Sequence, residues 1–280
     1  MNAPQLLAAP PLERTWGEAR CAFRLRGERH EIAELHQAGA LKVRMPRTPV
    51  AAAAEAVLIN TAGGLTDGDR LDVAVEVGAG AHAVVTTQAA ERAYASRGGD
   101  ATARTRLRVK AGGQLAWLPQ ETILFDRSRL RRSLEIGLEG DARLLAHESL
   151  VFGRAAMGER LASGRFRDLW RVCRDGRLLH AEAFRLEGDI AARLEGSALL
   201  AGAGAMTTIL YIAEDTEEMA VTLRHQIERL PAMDGLLAVS AWGGKLVVRG
   251  VAESGYHLRR LVVPILCQLH GGALPRIWTT

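Results

Sequence analysis

Leu71-Asp-Val-Ala-Val-Glu-Val77 alternates apolar and polar side chains, breaks at Gly78-Ala-Gly80, and resumes as Ala81-His-Ala-Val84. A period of two sends successive side chains to opposite faces of a strand, and the glycines supply a tight turn. The same phrase returns as Thr102–Val109, Lys110-Ala-Gly-Gly113 and Gln114-Leu-Ala-Trp117. It returns again as Ser133–Leu138, Glu139-Gly-Asp141 and Ala142–Leu145. Copies about thirty residues apart point to stacked β layers, a sandwich or a β-helix. Cys21–Arg26 carries the same alternation further upstream. The chain from about residue 15 to 205 therefore reads as an all-β body.

The C-terminal segment, 206–280, changes character. Thr207–Ile212 reads as a strand, after which Asp215 or Thr216 offers an N-cap. Met219, Leu223, Ile227 and Leu230 follow at helical spacing, and Pro231 stops the pattern. Two short strands flank Trp242-Gly-Gly244. A second helix starts after Ser254 and carries Leu258, Leu261, Val262, Ile265, Leu266 and Leu269. Pro264 inside it predicts a kink or break, and Gly271-Gly272 ends it. No Gly/Ser/Pro-rich linker separates the two regions, so residues 1–280 read as one mainly β domain with two C-terminal helices.

At 280 residues, 48% hydrophobic and 24% charged, the chain is long enough to bury a core without metal or disulfide staples. No apolar run is long enough to span a membrane, and Met1–Leu12 lacks the basic start of a signal peptide. Three widely separated cysteines (Cys21, Cys173, Cys267) suit free thiols in a reducing cytoplasm. Only Lys42, Lys110 and Lys245 of the 36 basic residues are lysines, yet the formal net charge is just +4. The densest run, Arg127-Ser-Arg-Leu-Arg-Arg132, belongs to an alternating strand and reads as a solvated face. No nucleic-acid-binding motif accompanies it.

Catalytic chemistry finds no purchase. The eight histidines form no metal-ligand pair, and Cys267-x₂-His270 supplies two ligands where a closed zinc site needs four. Cys267 reads as core and His270 as a solvated helix end. No nucleophile elbow and no phosphate-binding glycine loop occurs. What stands out is polarity among apolar neighbours. Asp67 and Asp69 sit in the glycine loop after Val57–Asn60, read as a turn with capping carboxylates. Thr86-Thr-Gln88 through Tyr94, Gln120-Glu121 within Trp117–Phe125, and His147-Glu148 within Leu144–Phe152 are similar intrusions. Polar groups at core positions cost about 1–3 kcal/mol each unless satisfied. Several in one β body suggest an internal polar network or a wet channel.

Those stretches, in that order, resemble the UreD (UreH) family of urease accessory proteins. The resemblance rests on Asn60, Gly63, Gly64, Gly68 and Asp69; on Thr87, Gln88 and Tyr94; and on Pro119 and Gln120 within Trp117–Ile123. It continues through Glu148, the pairs Gly153-Arg154 and Gly158-Glu159, and Leu274-Pro-Arg-Ile-Trp278. It runs from about residue 15 to the C-terminus. The family often has Pro where this chain has Ala62 and Gly where it has Asp67. The resemblance implies a β-helical fold with a helix pair and a scaffold without chemistry of its own. It also implies partners: UreF directly, the GTPase UreG through UreF, and the urease apoprotein that receives nickel.

With no tightly bound cofactor expected, transient Ni²⁺ would meet few, loosely arranged oxygen or nitrogen ligands. Asp69, Glu148 and Glu182 are the candidate carboxylates. Glu148 either pairs with an arginine, Arg154 being the obvious candidate, or lines a water-filled passage. A carbohydrate-acting β-solenoid is the competing class. It would need paired carboxylates and aromatic platforms, and aromatics are only 5%.

Overall fold

The computed structural model describes residues 13–49, 52–154, 158–197, 199–230 and 235–278. The reading of Met1–Leu12 and the helix stop at Pro231 fall outside them. The chain winds between two sheets. Strands β1 (Trp16–Arg26), β5 (Arg70–Val77), β8 (Ala101–Val109), β11 (Arg129–Leu138) and β13 (Ser163–Arg174) run parallel in one. Antiparallel β2 (Arg29–Gly39) and β14 (Arg177–Asp189) form its edges. Between these strands the chain crosses to β4 (Ala54–Asn60), β6 (His82–Thr87), β9 (Gln114–Leu118) and β12 (Arg143–Phe152), parallel in the second sheet. The result is a β-solenoid of about four turns.

β3 (Leu41–Arg44) caps the second sheet at one side. The other side is extended by antiparallel β15 (Ala205–Ile212), β17 (Lys245–Ala252) and β16 (Leu236–Trp242). Two three-residue strands, β7 (Glu91–Ala93) and β10 (Thr122–Leu124), make a narrow third face against the end of β12.

Alternation sets each sheet's two faces. Leu71, Val73, Val75 and Val77 of β5 point into the solenoid, while Arg70, Asp72 and Glu76 face outward. The second sheet is covered on both sides, so its strands are buried almost continuously, as in parallel sheets generally. The recurrent turns stack. Gly80, Gly112 and Gly140 all adopt positive φ (67°, 69°, 52°), and a Cβ on Gly112 would touch the Gly80 backbone at 3.5 Å. Only glycine takes both conditions without strain.

The helical layer lies outside the second sheet. α2 (Thr216–Ile227) and α3 (Gly255–His270) begin at Asp215 and Ser254; only the Ser254 hydroxyl makes a capping bond, accepting from His257 N. The predicted apolar stripe of α3, Leu258 to Leu269, is buried against Val84, Ala116, Leu118, Leu145 and Ile209. Gly271 ends α3 in the left-handed conformation. Two expectations are corrected. α3 runs through Pro264 without a break, and Gln226 of α2 ties to it there, its Nε2 donating to Pro264 O at 3.2 Å. A third helix, α1 (Ile190–Glu195), interrupts the supposed all-β body. Asp189 caps it by accepting from Ala192 N, and its six residues are too few to show a helical period.

Candidate functional site

His147 and Glu148 are neighbours on β12, so they project to opposite sides of the sheet. His147 faces α3. Glu148 enters the solenoid interior, where it is 7% exposed. Its ion-pair partner is Arg132, Nη1 to Oε2 at 2.5 Å, projecting from β11 across the gap between the sheets. Arg154, the partner expected from sequence, instead pairs with Glu159 and lies over the Phe125 ring at 4.4 Å. Arg154 and Glu159 also exchange two backbone hydrogen bonds, with Gly153 and Gly158 at positive φ on either side. That motif is a local closure, too far along the chain fold to serve Glu148.

Arg132 is shared. Its Nη2 and Nε grip Asp168 of β13 as a fork, at 2.5 and 3.1 Å, and its Nη1 donates to Thr122 Oγ1 at 3.2 Å. Two indoles fix the carboxylates: Trp117 Nε1 donates to Glu148 Oε1 and Trp170 Nε1 to Asp168 Oδ2, both at 3.3 Å. One cation thus faces two buried anions. Burial pushes the Glu148 carboxyl up to about 7, against the attraction of Arg132 and reinforced by repulsion from Asp168. Burial opposes the Arg132 charge as well, but the two carboxylates outweigh it and raise its pKa.

Two cavities meet at this cluster. The larger, about 180 Å³, reaches from Asn60, Gln88 and Glu91 past Pro119 and Trp117 to Arg132 and Glu148. The smaller, about 20 Å³ and so sized for one water, lies between Arg132, Glu148, Asp168, Trp170, Glu182 and Thr208. Ionisable groups mark the outer end of each. Glu91 takes both its oxygens to Asn60 Nδ2 at 3.1 Å, yet burial holds its pKa above the ordinary range. Glu182 accepts from Thr208 Oγ1 at 3.2 Å and Arg249 Nη2 at 3.0 Å, with His180 Nε2 at 3.6 Å. Burial alone would raise Glu182, but His180 and Arg249 bring it below its usual value.

Of the three carboxylates singled out in the sequence, the fold brings Glu148 and Glu182 to one cavity and leaves Asp69 elsewhere. Asp69 Oδ1 accepts from Thr15 N and Oδ2 from Thr66 N, both at 2.8 Å. Asp67 accepts from Gly99 N, Ser96 Oγ and Arg14 Nη2. Both cap the glycine loop, as its composition suggested. Gly63 adopts φ 76°, its carbonyl accepts from Tyr94 Oη at 3.2 Å, and a Cβ on Gly64 would meet Arg92 O at 2.7 Å. Gly68 is also at positive φ, 86°. Thr87 Oγ1 accepts from Gln120 N at 2.9 Å, tying β6 to the loop after β9.

A second polar cluster lies on the other side of β12. Arg259 of α3 donates to Gln120 Oε1 at 2.7 Å and Trp278 O at 2.8 Å, with its guanidinium 4.7 Å over the Trp278 ring. Burial depresses His147 to about 3, so it stays neutral, with Nε2 against Ser149 Oγ at 2.8 Å. Cys267 and His270 are both half-buried on α3.

Arg132, Asp168 and Glu91 were missed as site residues. The signal for the first two was present. Leu130, Leu134 and Ile136 share a face of β11 with Arg132, and Phe166 and Trp170 bracket Asp168 on β13. Among the described residues no group of three or more His, Cys, Asp or Glu is arranged to hold a metal, and no helix is long and apolar enough to cross a membrane.

A family model described as UreD urease accessory protein matches residues 15–279. A protein from Chelativorans sp. strain BNC1, named urease accessory protein UreD, is 48% identical over 270 residues, covering 96% of this chain and 95% of its own. Proteins of the same name from Brucella suis and Sinorhizobium medicae are 47% and 45% identical over 274 residues each. These cover 96% and 97% of this chain, and 96% and 98% of their own lengths.

Proposed function

Because this chain belongs to the UreD family of urease accessory proteins, we propose that it is a non-catalytic cytoplasmic scaffold for urease maturation. In this reading the whole chain acts as one domain. It binds UreF, holds UreG through UreF, and docks with them on apo-urease to support GTP-dependent nickel insertion. Hydrolysis of GTP belongs to UreG. No cofactor is held tightly, and neither nucleic acid nor membrane is a partner.

The observation that carries the reading is likeness over nearly the full length to proteins named urease accessory protein UreD. A part for the chain in moving Ni²⁺, the cargo, is supported by the line Glu91, Glu148, Glu182 between the sheets. Asp168 already matches the Arg132 charge through two hydrogen bonds, which leaves Glu148 surplus to structural neutralisation. A surplus buried carboxylate is expensive unless used. Oxygen ligands offered singly bind nickel without trapping it.

The test is co-expression with UreF, UreG and apo-urease, followed by affinity capture and nickel analysis of the urease. Wild type should capture all three. Glu148→Gln and Glu182→Gln should assemble the same complex while the nickel content and activity of the urease fall. No capture would defeat the scaffold role; full nickel loading by both variants would defeat the transit role.

A further inference from the structure

We propose that Arg132 is a gate between the two interior cavities, closed in the isolated chain and opened by letting go of Glu148 while keeping Asp168. This deepens the transit reading and rests on it. Arg132 and Glu148 line both cavities, so their contact is the partition between them. The guanidinium fills the place beside Glu148, and the Arg132 side chain is only 11% exposed. Asp168 already matches its charge, so what Arg132 denies a divalent cation entering from the Glu91 side is the coordinating oxygen of Glu148. While the guanidinium holds Glu148, that oxygen is not offered to such a cargo.

The two grips on Arg132 are unequal. Asp168 is held through Nη2 and Nε together, the planar two-point geometry that makes an arginine fork rigid. Glu148 and Thr122 are held through Nη1 alone. Releasing Nη1 leaves the Arg132–Asp168 pair neutral and intact. The adjoining cavity of about 180 Å³ provides space for the freed end. The indoles of Trp117 and Trp170 keep the carboxylates from following. Opening would turn the Glu148 carboxyl toward both cavities at once, to ionise as a cation binds beside it. A cation would then take the place beside Glu148 that the guanidinium had filled.

The experiment is equilibrium dialysis of the purified full chain against Ni²⁺ at neutral pH. It compares wild type, Arg132→Lys and Arg132→Gln, each with and without Glu148→Gln, with folding checked by circular dichroism. Removing the guanidinium should raise Ni²⁺ affinity at least tenfold, and Glu148→Gln should abolish that gain. In the wild-type background Glu148→Gln should change Ni²⁺ retention little, because the site there is closed. Arg132→Gln leaves two buried carboxylates uncompensated; if it does not fold, Arg132→Lys, which keeps a cation for Asp168, decides the matter. Wild-type affinity in the folded Arg132 variants overturns the gate, as does a gain that survives Glu148→Gln. Either result is separable from failure of the transit reading, which is judged on nickel delivery by the Glu148→Gln complex with Arg132 in place.

Discussion

The Trp278 indole N–H donates to Thr86 Oγ1 at 3.2 Å, joining the last described residue to β6 across 192 positions of sequence. The same N–H reaches Leu118 O, and Arg259 holds the Trp278 carbonyl and ring from above. The C-terminal turn is therefore a bolt between α3 and the solenoid wall. Trp278→Ala should lower unfolding free energy by about 3–5 kcal/mol, as for large buried aromatics. Trp278→Phe should cost less, about 1–2 kcal/mol for the missing donor. Urea denaturation of the two variants checks both the size and the order.

Gly64 and Gly63 separate strain from collision. A Cβ on Gly63 meets open space, so Gly63→Ala should cost only the left-handed backbone penalty, about 1–2 kcal/mol. A Cβ on Gly64 meets Arg92 O, which is fixed by its hydrogen bond from Leu65 N at 2.7 Å. Gly64→Val should thus be markedly worse than Gly63→Ala and reduce folded yield. Equal melting temperatures for the two would contradict the close approach of this loop to β7.

Glu148 makes a pH prediction. Its folded pKa, about 7, lies above the unfolded value, so the native state holds the extra proton between about pH 4.5 and 7. The stability this group contributes is full below that window and lost as pH rises through it. Glu148→Gln removes the dependence. The variant should gain on wild type by about 2–3 kcal/mol between pH 5 and 8. Asp168→Asn is the contrast: it breaks the fork that neutralises Arg132 and should cost about 3–5 kcal/mol. Chemical denaturation at two pH values resolves these outcomes.

Asp69 should behave as a cap. An asparagine offers one acceptor oxygen where Asp69 uses two, for Thr15 N and Thr66 N. Asp69→Asn should therefore lose about 1–3 kcal/mol of stability by leaving a buried N–H unmatched. Folded Asp69→Asn protein should load urease with nickel as wild type does. A selective loss of nickel at wild-type stability would return Asp69 to the passage.

What could be read from sequence divides along a physical line. Leu71–Val77 and Thr102–Val109 announced themselves because one face of each strand is wet and the other dry. β2 gave no such signal, since as an exposed edge it has little apolar face to show. Ser254 and Gly271 fixed the ends of α3 because caps are local chemistry. The Glu148 partner was beyond reach for the opposite reason. Arg154 is close in sequence but turned away, whereas Arg132 meets Glu148 only because two sheets stack with a particular offset. The run Arg127–Arg132 looked like a solvated face, and its last member breaks that pattern by sharing the side of Leu130 and Leu134. His147 and Glu148, adjacent in sequence, belong to different interiors.

The bolt at Trp278 also has a bearing on synthesis. Solenoid turns stack on neighbours already made, so the winding can follow the chain as it leaves the ribosome. The outer wall of the second sheet has no such partner. Val84, Ala116, Leu118 and Leu145 wait for α3 and the turn at Trp278, which lie far downstream in the chain. At ordinary elongation rates that wait is on the order of ten seconds. For that interval the nascent chain displays a greasy flank that the finished molecule hides, and a chain released before residue 278 would display it permanently.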